Sequence, residues 1–306
     1  MTAIPCVLDC DPGHDDAVAI LLAAAHPAID LRAITTVAGN GPLDKVTLNA
    51  RRICTLAGLL DVPIAAGAAG PQDGPAPSAV AVHGESALDG PALPEPAMEL
   101  DPRTPAQLVA AQDGPVTLVA TGPLTNAAVL LDELGTDAFR EIVWMGGSTE
   151  RGNTTPYAEF NAWVDPEAAA AVVASGVPLT VVGLNLTHQA LATDAVLRRL
   201  AALETPLAHT VVGWLEFFGG TYRDVFGFPA PPVHDPCAVA LLADPATVRC
   251  VDAFVAIETT GTHTRGATVV DLDHTTGQPP NARVAVELDA PRFWDLVVDA
   301  VAQLGG

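Results

Sequence analysis

Short runs of branched apolar residues alternate along the chain with longer amphipathic or alanine-rich runs. This alternation predicts an α/β fold, an open and mostly parallel sheet flanked by helices. Strands are expected at Ile4–Leu8, Leu31–Val37, Val62–Ala65, Val116–Ala120, Glu141–Met145 and Leu179–Leu184. Helices are expected at Asp15–His26, Leu43–Leu59, Pro105–Gln112, Leu124–Leu134, Pro166–Ser175 and Asp194–Ala202. Two more helices, Pro206–Phe218 and Pro236–Ala243, lead into a C-terminal region whose runs at Cys250–Ile257, Ala267–Val270 and Ala282–Leu288 read as added strands. A helix at Pro291–Leu304 follows. Gly67–Pro102 is rich in Gly and Pro and lacks periodicity, so it reads as a long excursion over the surface rather than a linker. With no internal repeat or low-complexity tract, residues 1–306 are read as one domain.

Composition narrows the possible partners. Apolar residues make up 49% of the chain and no dense charge run occurs, which argues against extensive disorder. The longest apolar stretch, Ala17–Ala25, is too short to cross a bilayer, and Asp9 and Asp11 fall where a signal peptide needs its apolar run. A soluble, cytoplasmic protein is expected. Cys6, Cys10, Cys54, Cys237 and Cys250 lack the CxxC spacing of zinc or redox motifs and read as reduced thiols. The net charge of −22 repels phosphate backbones and anionic membranes, so nucleic acid and membrane surfaces are not expected partners.

One stretch changes the picture. The expected first strand runs into Asp9-Cys10-Asp11-Pro12-Gly13-His14-Asp15-Asp16, four aspartates within eight residues. Unpaired carboxylates in an apolar core cost several kcal/mol each, so something must neutralise them. A helix N-terminus accommodates one acid by capping, not four. Open α/β sheets bind ligands beyond the carboxyl ends of their strands, where the Pro12-Gly13 turn places this cluster. Many oxygen donors with no Cys or His pair nearby favour a hard cation, Ca²⁺ before Mg²⁺, over zinc. Asn40, Thr121, Met145 and Asn185 also fall at or just after expected strand ends, on the same rim. Asn153, Glu159 and Asn161 supply donors and acceptors of the kind that recognise sugar hydroxyls, although any one of them alone reads as loop solvation.

Asp9-Cys10-Asp11-Pro12-Gly13-His14-Asp15-Asp16-Ala17 resembles the DxDPGxDDA signature of the nucleoside hydrolase family. The resemblance continues through Ile34–Asn40, His83-Gly84-Glu85, Thr121–Asn126, Met145-Gly146-Gly147, Gly152-Asn153, Ala158–Asn161, Asp165–Ala168 and Gly183–Gln189. Val233-His234-Asp235-Pro236 resembles the inosine/uridine-preferring branch. The resemblance implies a Rossmann-like nucleoside hydrolase fold, homodimers or homotetramers, a role in nucleoside catabolism and salvage, and Ca²⁺ held by Asp11, Asp16, the Thr121 carbonyl and Asp235. It also implies that Asp15 and Asn161 contact the ribose 2′- and 3′-hydroxyls, that Asn153 and Glu159 hold the 5′-hydroxyl, and that Met145 packs on the sugar. Asn40 is expected at the same substrate site, His83 and Tyr222 near the base.

The implied reaction is hydrolysis of the N-glycosidic bond of ribonucleosides such as inosine or uridine. Ca²⁺ would bind and acidify water, Asp11 would take its proton, and His234, which titrates near neutrality in water, would assist as proton donor to the departing base. Trp214–Phe228 is a candidate lid, with Phe217 and Phe218 read as packing residues. Two rivals compete: a phosphohydrolase of the haloacid dehalogenase type, from Asp9-Cys10-Asp11, and a metal-dependent nucleoside-binding protein without chemistry. The first suits an acidic chain poorly, since phosphate wants basic groups. A turnover assay of inosine with Ca²⁺ separates the second.

Overall fold

The computed structural model describes residues 3–71, 74 and 79–306. Its strands are β1 (Ile4–Cys10), β2 (Ile29–Thr36), β3 (Ile64–Ala66), β4 (Val116–Ala120), β5 (Phe139–Met145), β6 (Leu179–Val182), β7 (Val248–Ile257), β8 (Thr268–Asp271) and β9 (Ala282–Leu288). They form one sheet in the order β3-β2-β1-β4-β5-β6-β9-β7-β8. Every pair from β3 across to β9 is parallel, and β7 runs antiparallel to both β9 and β8. The expected mostly parallel sheet with C-terminal additions is therefore what forms.

The central strands are covered on both faces, which is why they read as continuous apolar runs. Cys6, Leu8 and Cys10 of β1 join one apolar layer, and Val7 joins the other. Between the strands run α1 (His14–Ala25), α2 (Leu43–Leu56), α3 (Val80–His83), α4 (Pro105–Ala110), α5 (Thr125–Leu134), α6 (Phe160–Val164), α7 (Pro166–Ala174), α8 (Leu184–Thr187), α9 (Asp194–Ala201), α10 (Pro206–Phe226) and α11 (Pro236–Ala243), and α12 (Ala290–Gly305) follows β9. Helices α1 and α9 to α12 contribute to the layer around Leu8, whereas α4, α5 and α7 contribute to the layer around Val7. Among the described residues no helix is long and apolar enough to cross a membrane.

Three expectations need correction. Helix α10 runs on to Phe226 instead of ending at Phe218, because Trp214, Leu215, Phe218 and Tyr222 keep one stripe buried past Gly219-Gly220. It stops at Gly227, whose left-handed φ of 73° suits a residue without a Cβ. The Gly67–Pro102 excursion is not purely superficial, since His83, Ala87 and Leu88 are buried; residues 72–73 and 75–78 within it lie outside the described residues. Strand β6 ends at Val182, and Leu184 opens α8.

Candidate active site

The carboxyl ends of the central strands carry the aspartate cluster. Asp16 lies in the first turn of α1, where its Oδ2 accepts the N–H of the N-cap residue Gly13 at 3.0 Å. Its Oδ1 accepts the Thr121 hydroxyl at 2.8 Å, and Asn40 Nδ2 donates to Oδ2 at 3.2 Å. Asp11 follows β1, and its Oδ2 accepts the Asn40 backbone N–H at 2.6 Å. A Cβ at Gly39 would overlap that oxygen, and one at Gly122 would lie 2.8 Å from Asp11 Oδ1, so both glycines permit the backbone to close around this carboxylate. Asp15, Asp16 and Asp235 each offer an oxygen within 4.8 Å of the others.

All four acids are buried, and burial, together with their neighbours' charge, raises Asp11 and Asp235 well above the usual carboxylate range and Asp15 to about 7. Asp16 is raised as well, by burial first, against the hydrogen bonds it accepts. Two oxygens, Asp11 Oδ1 and Asp15 Oδ1, are sealed from solvent with no hydrogen-bond partner among the described residues. Like charges this close are stable together only with protons or a cation between them. The donors are all oxygen, so the residues fit a hard divalent ion. Asp9, by contrast, stays inside β1, where Oδ1 is held by Thr35 Oγ1 at 2.5 Å and Asn126 Nδ2 at 2.7 Å.

Above the cluster opens a cavity of about 330 Å³. Asp15, Asn40, His83, Thr121, Met145, Asn153, Glu159, Asn161, Tyr222, His234 and Asp235 all contribute to its wall. Asp11 and Asp16 belong to the carboxylate cluster and not to that wall. Glu159 is also the N-cap of α6: its carboxylate accepts the N–H groups of Gly147, Asn161 and Ala162 at 2.8–3.0 Å, and burial raises it to about 7. Asn161 Nδ2 donates to the carbonyls of Thr121 and Met145 at 2.9 and 3.0 Å. The segment expected as a loop is thus partly helical, with Asn161 inside α6. Asn153 Oδ1 accepts the Phe160 N–H at 2.9 Å. Asn185 is absent from the wall; its Nδ2 donates to Ala285 O on β9.

Two histidines reach the cavity on hydrogen-bonded chains. His234 has both ring nitrogens engaged, Nδ1 with Thr187 Oγ1 at 2.7 Å and Nε2 with Tyr222 OH at 2.6 Å. Burial lowers its pKa to about 3 and raises that of Tyr222 well above the usual phenol value. His83 Nδ1 lies 3.1 Å from His14 Nδ1, and His14 Nε2 lies 2.8 Å from Asp89 O. Burial again disfavours the charged form of both rings, lowering His14 to about 4 and His83 well below the usual imidazole value. Phe217 and Phe218 stack on His14 as packing residues, and Phe218 also lines the cavity with Tyr222, Val225 and Phe226 of α10. The structure thus adds Thr187 and His14 to the residues singled out from sequence. Both lie inside recognised motifs, but their partners are 47 and 69 positions away.

Comparison with known proteins agrees with this geometry. The model of the inosine-uridine preferring nucleoside hydrolase family matches residues 6–295. The chain is 47% identical over 305 residues to the pyrimidine-specific ribonucleoside hydrolase RihA of Shewanella sp. (strain MR-4), covering 97% of this chain and 96% of that one. It is 45% identical to the RihA of Salmonella typhimurium (strain LT2), with 97% and 98% covered. Among solved structures, a purine-preferring ribonucleoside hydrolase from Gardnerella vaginalis superposes with a TM-score of 0.91 at 27% identity, over 98% of this chain and 99% of that one. The chain therefore belongs to the inosine-uridine preferring nucleoside hydrolase family, enzymes that hydrolyse the N-glycosidic bond of ribonucleosides.

Proposed function

We propose that residues 1–306 act as a single Ca²⁺-dependent hydrolase of pyrimidine ribonucleosides, uridine and cytidine ahead of inosine. The observation that carries the metal is the convergence of Asp15, Asp16 and Asp235, whose oxygens lie within 4.8 Å of one another, together with the buried, unpartnered Oδ1 atoms of Asp11 and Asp15. Asp11, Asp16, Asp235 and the Thr121 carbonyl would hold the ion; oxygen-only donors favour Ca²⁺. Once bound, it would position and acidify the attacking water. The pyrimidine preference draws on relatives at 45–48% identity that carry that specificity in their names.

Asp11 takes the proton of the water. Asp15 and Asn161 hold the ribose 2′- and 3′-hydroxyls, Asn153 and Glu159 hold the 5′-hydroxyl, Asn40 and Met145 complete the sugar pocket, and the nearby carboxylates favour positive charge developing at the anomeric carbon. His83 and Tyr222 face the base. With both nitrogens of His234 engaged, its part in leaving-group departure is exerted through Tyr222. Thr187 donates to Nδ1, Nε2–H donates to the phenol oxygen, and the Tyr222 O–H is left free to donate to the departing base. This replaces direct proton donation by His234. The enzyme is taken to work as a cytoplasmic homodimer or homotetramer, with nucleosides as its partners.

The reading is tested with a panel of uridine, cytidine, inosine and adenosine in the presence of Ca²⁺. It expects kcat/KM for the pyrimidines to exceed that for the purines by roughly 10-fold or more, the scale at which pocket contacts discriminate. Equal or faster purine turnover contradicts the substrate preference.

A further inference from the structure

His14 belongs to the aspartate motif, yet it is neither a member of the carboxylate cluster nor a lining residue of the cavity; it lies behind His83 and Phe218, which do line it. It is fully buried, with Phe217 at 5.1 Å and Phe218 at 5.3 Å stacked on its ring. Its two polar contacts point in chemically different directions. Nε2 faces the Asp89 carbonyl at 2.8 Å, and a carbonyl only accepts, so Nε2 carries a proton. Nδ1 faces His83 Nδ1 at 3.1 Å. Among the described residues no carboxylate hydrogen-bonds either ring, and two neutral imidazoles share one proton across that contact.

Because the single proton of a neutral His14 is committed to Asp89, the shared proton belongs to His83 Nδ1. Otherwise two lone pairs would oppose each other in a buried, nearly water-free contact. The His14 backbone N–H also donates to His83 Nδ1, at 3.4 Å, and a proton on Nδ1 gives up this longer hydrogen bond in favour of the shorter one to the His14 ring. His83 Nε2 then has no proton. It makes no hydrogen bond among the described residues, while His83 lines the cavity. Gly13 makes this seat possible: a Cβ there would lie 2.5 Å from His83 Nδ1 and 2.7 Å from its Cε1.

We propose that His14 is a positioning residue for base recognition: bridged between Asp89 O and His83, it locks His83 as the Nδ1–H tautomer and so presents Nε2 to the cavity as an acceptor for an N–H of the nucleobase. The inference rests on the nucleoside hydrolase reading and deepens it. A ring imide N–H, as in uracil, or an exocyclic amine, as in cytosine, is the group this acceptor selects. A base blocked at that position loses the contact. The lock acts through His83, which faces the base, so a substrate whose leaving group has no N–H gains nothing from it.

The test has two arms on the intact, Ca²⁺-loaded enzyme near neutral pH. Long-range ¹H–¹⁵N NMR of the histidine rings reads the tautomer directly, whatever nucleoside the enzyme prefers. His83 Nε2 is expected to give a pyridine-type signal and Nδ1 a pyrrole-type signal in the wild type. A protonated His83 Nε2 overturns the proposal, even if uridine is a good substrate. The kinetic arm compares uridine, 3-methyluridine and p-nitrophenyl riboside in the wild type and in His14→Phe, which keeps the stacking and removes both ring hydrogen bonds. The wild type should favour uridine over 3-methyluridine by about 10-fold, the scale of one hydrogen bond. His14→Phe should raise KM for uridine until that preference is lost, and should leave p-nitrophenyl riboside unchanged. Equal damage to all three substrates would show a structural role and contradict the lock. Failure of the wild type to cleave uridine would refute the substrate reading alone, leaving the tautomer to be decided by NMR.

Discussion

The Tyr222 hydroxyl lies 2.6 Å from Nε2 of His234, and Thr187 Oγ1 holds the other ring nitrogen at 2.7 Å. A histidine with both nitrogens occupied by hydroxyls reaches a leaving group only through one of them. Tyr222→Phe and His234→Ala are therefore expected to slow uridine hydrolysis by similar factors, about 10²-fold, the lower scale for a positioned donor. The double variant should be little worse than either single one, because the two groups act as a unit. Neither change should much affect p-nitrophenyl riboside, whose leaving group departs as a stable anion. A His234→Ala defect that greatly exceeds that of Tyr222→Phe would mean that the histidine acts by another route.

Asp11→Asn keeps the size of the side chain and removes its ability to take a proton. Turnover of uridine should fall by at least about 10²-fold with the fold retained. Calcium content measured on the same preparation separates loss of the base from loss of the ion. Near-normal kcat would assign the base to another group.

Asn126 ties three elements together. Its Nδ2 donates to Asp9 Oδ1 at 2.7 Å and to Thr36 O at 3.0 Å, and its Oδ1 accepts the Ala68 N–H at 2.8 Å. Asn126→Ala should destabilise the protein by about 2–4 kcal/mol, since it strands buried polar groups around a carboxylate that already has one unpartnered oxygen. Urea denaturation measures this directly. A change below about 0.5 kcal/mol, the usual size for an inconsequential surface substitution, would show that the strut is dispensable.

The buried acids also set a pH dependence for the metal-free protein. Burial raises Asp9, Asp15 and Glu159 each to about 7, and raises Asp11 and Asp235 well above the usual carboxylate range. In the unfolded chain these acids are already ionised above about pH 4, so near neutrality the folded state binds more protons and its stability falls as pH rises. The buried histidines have lowered values and act in the opposite sense, but only below about pH 6.5, where an unfolded histidine begins to protonate. Metal-free protein should therefore lose melting temperature between about pH 6.5 and 8. Ca²⁺ should raise it more at the upper end, because binding displaces protons. A Ca²⁺ effect that is larger at the acid end would contradict this.

The parts legible in sequence are those with a local cost or a local period. Strands β1 and β4 stand out because both faces are buried, and the aspartate motif stands out because acids following an apolar strand demand compensation. Helices α3, α6 and α8 are too short for a helical period to register, which is why Glu159 and Asn161 read as loop residues when one is a cap and the other helical. The end of α10 was hidden by Gly219-Gly220, whose apparent break is overridden by packing of Tyr222 and Phe218. The partnerships of His14 with His83 and of Thr187 with His234 join distant positions, and nothing in the local pattern of either residue announces them.

A cation at the aspartate cluster that drives hydrolysis of a pyrimidine nucleoside makes turnover depend on the ion and not on phosphate. Uracil release from uridine in phosphate-free buffer, measured before chelation, after exhaustive chelation and after return of Ca²⁺, tests it most directly. Turnover should proceed without phosphate, fall by at least about 10²-fold on chelation, and recover with about one Ca²⁺ per chain. Undiminished turnover in the chelated enzyme would contradict it.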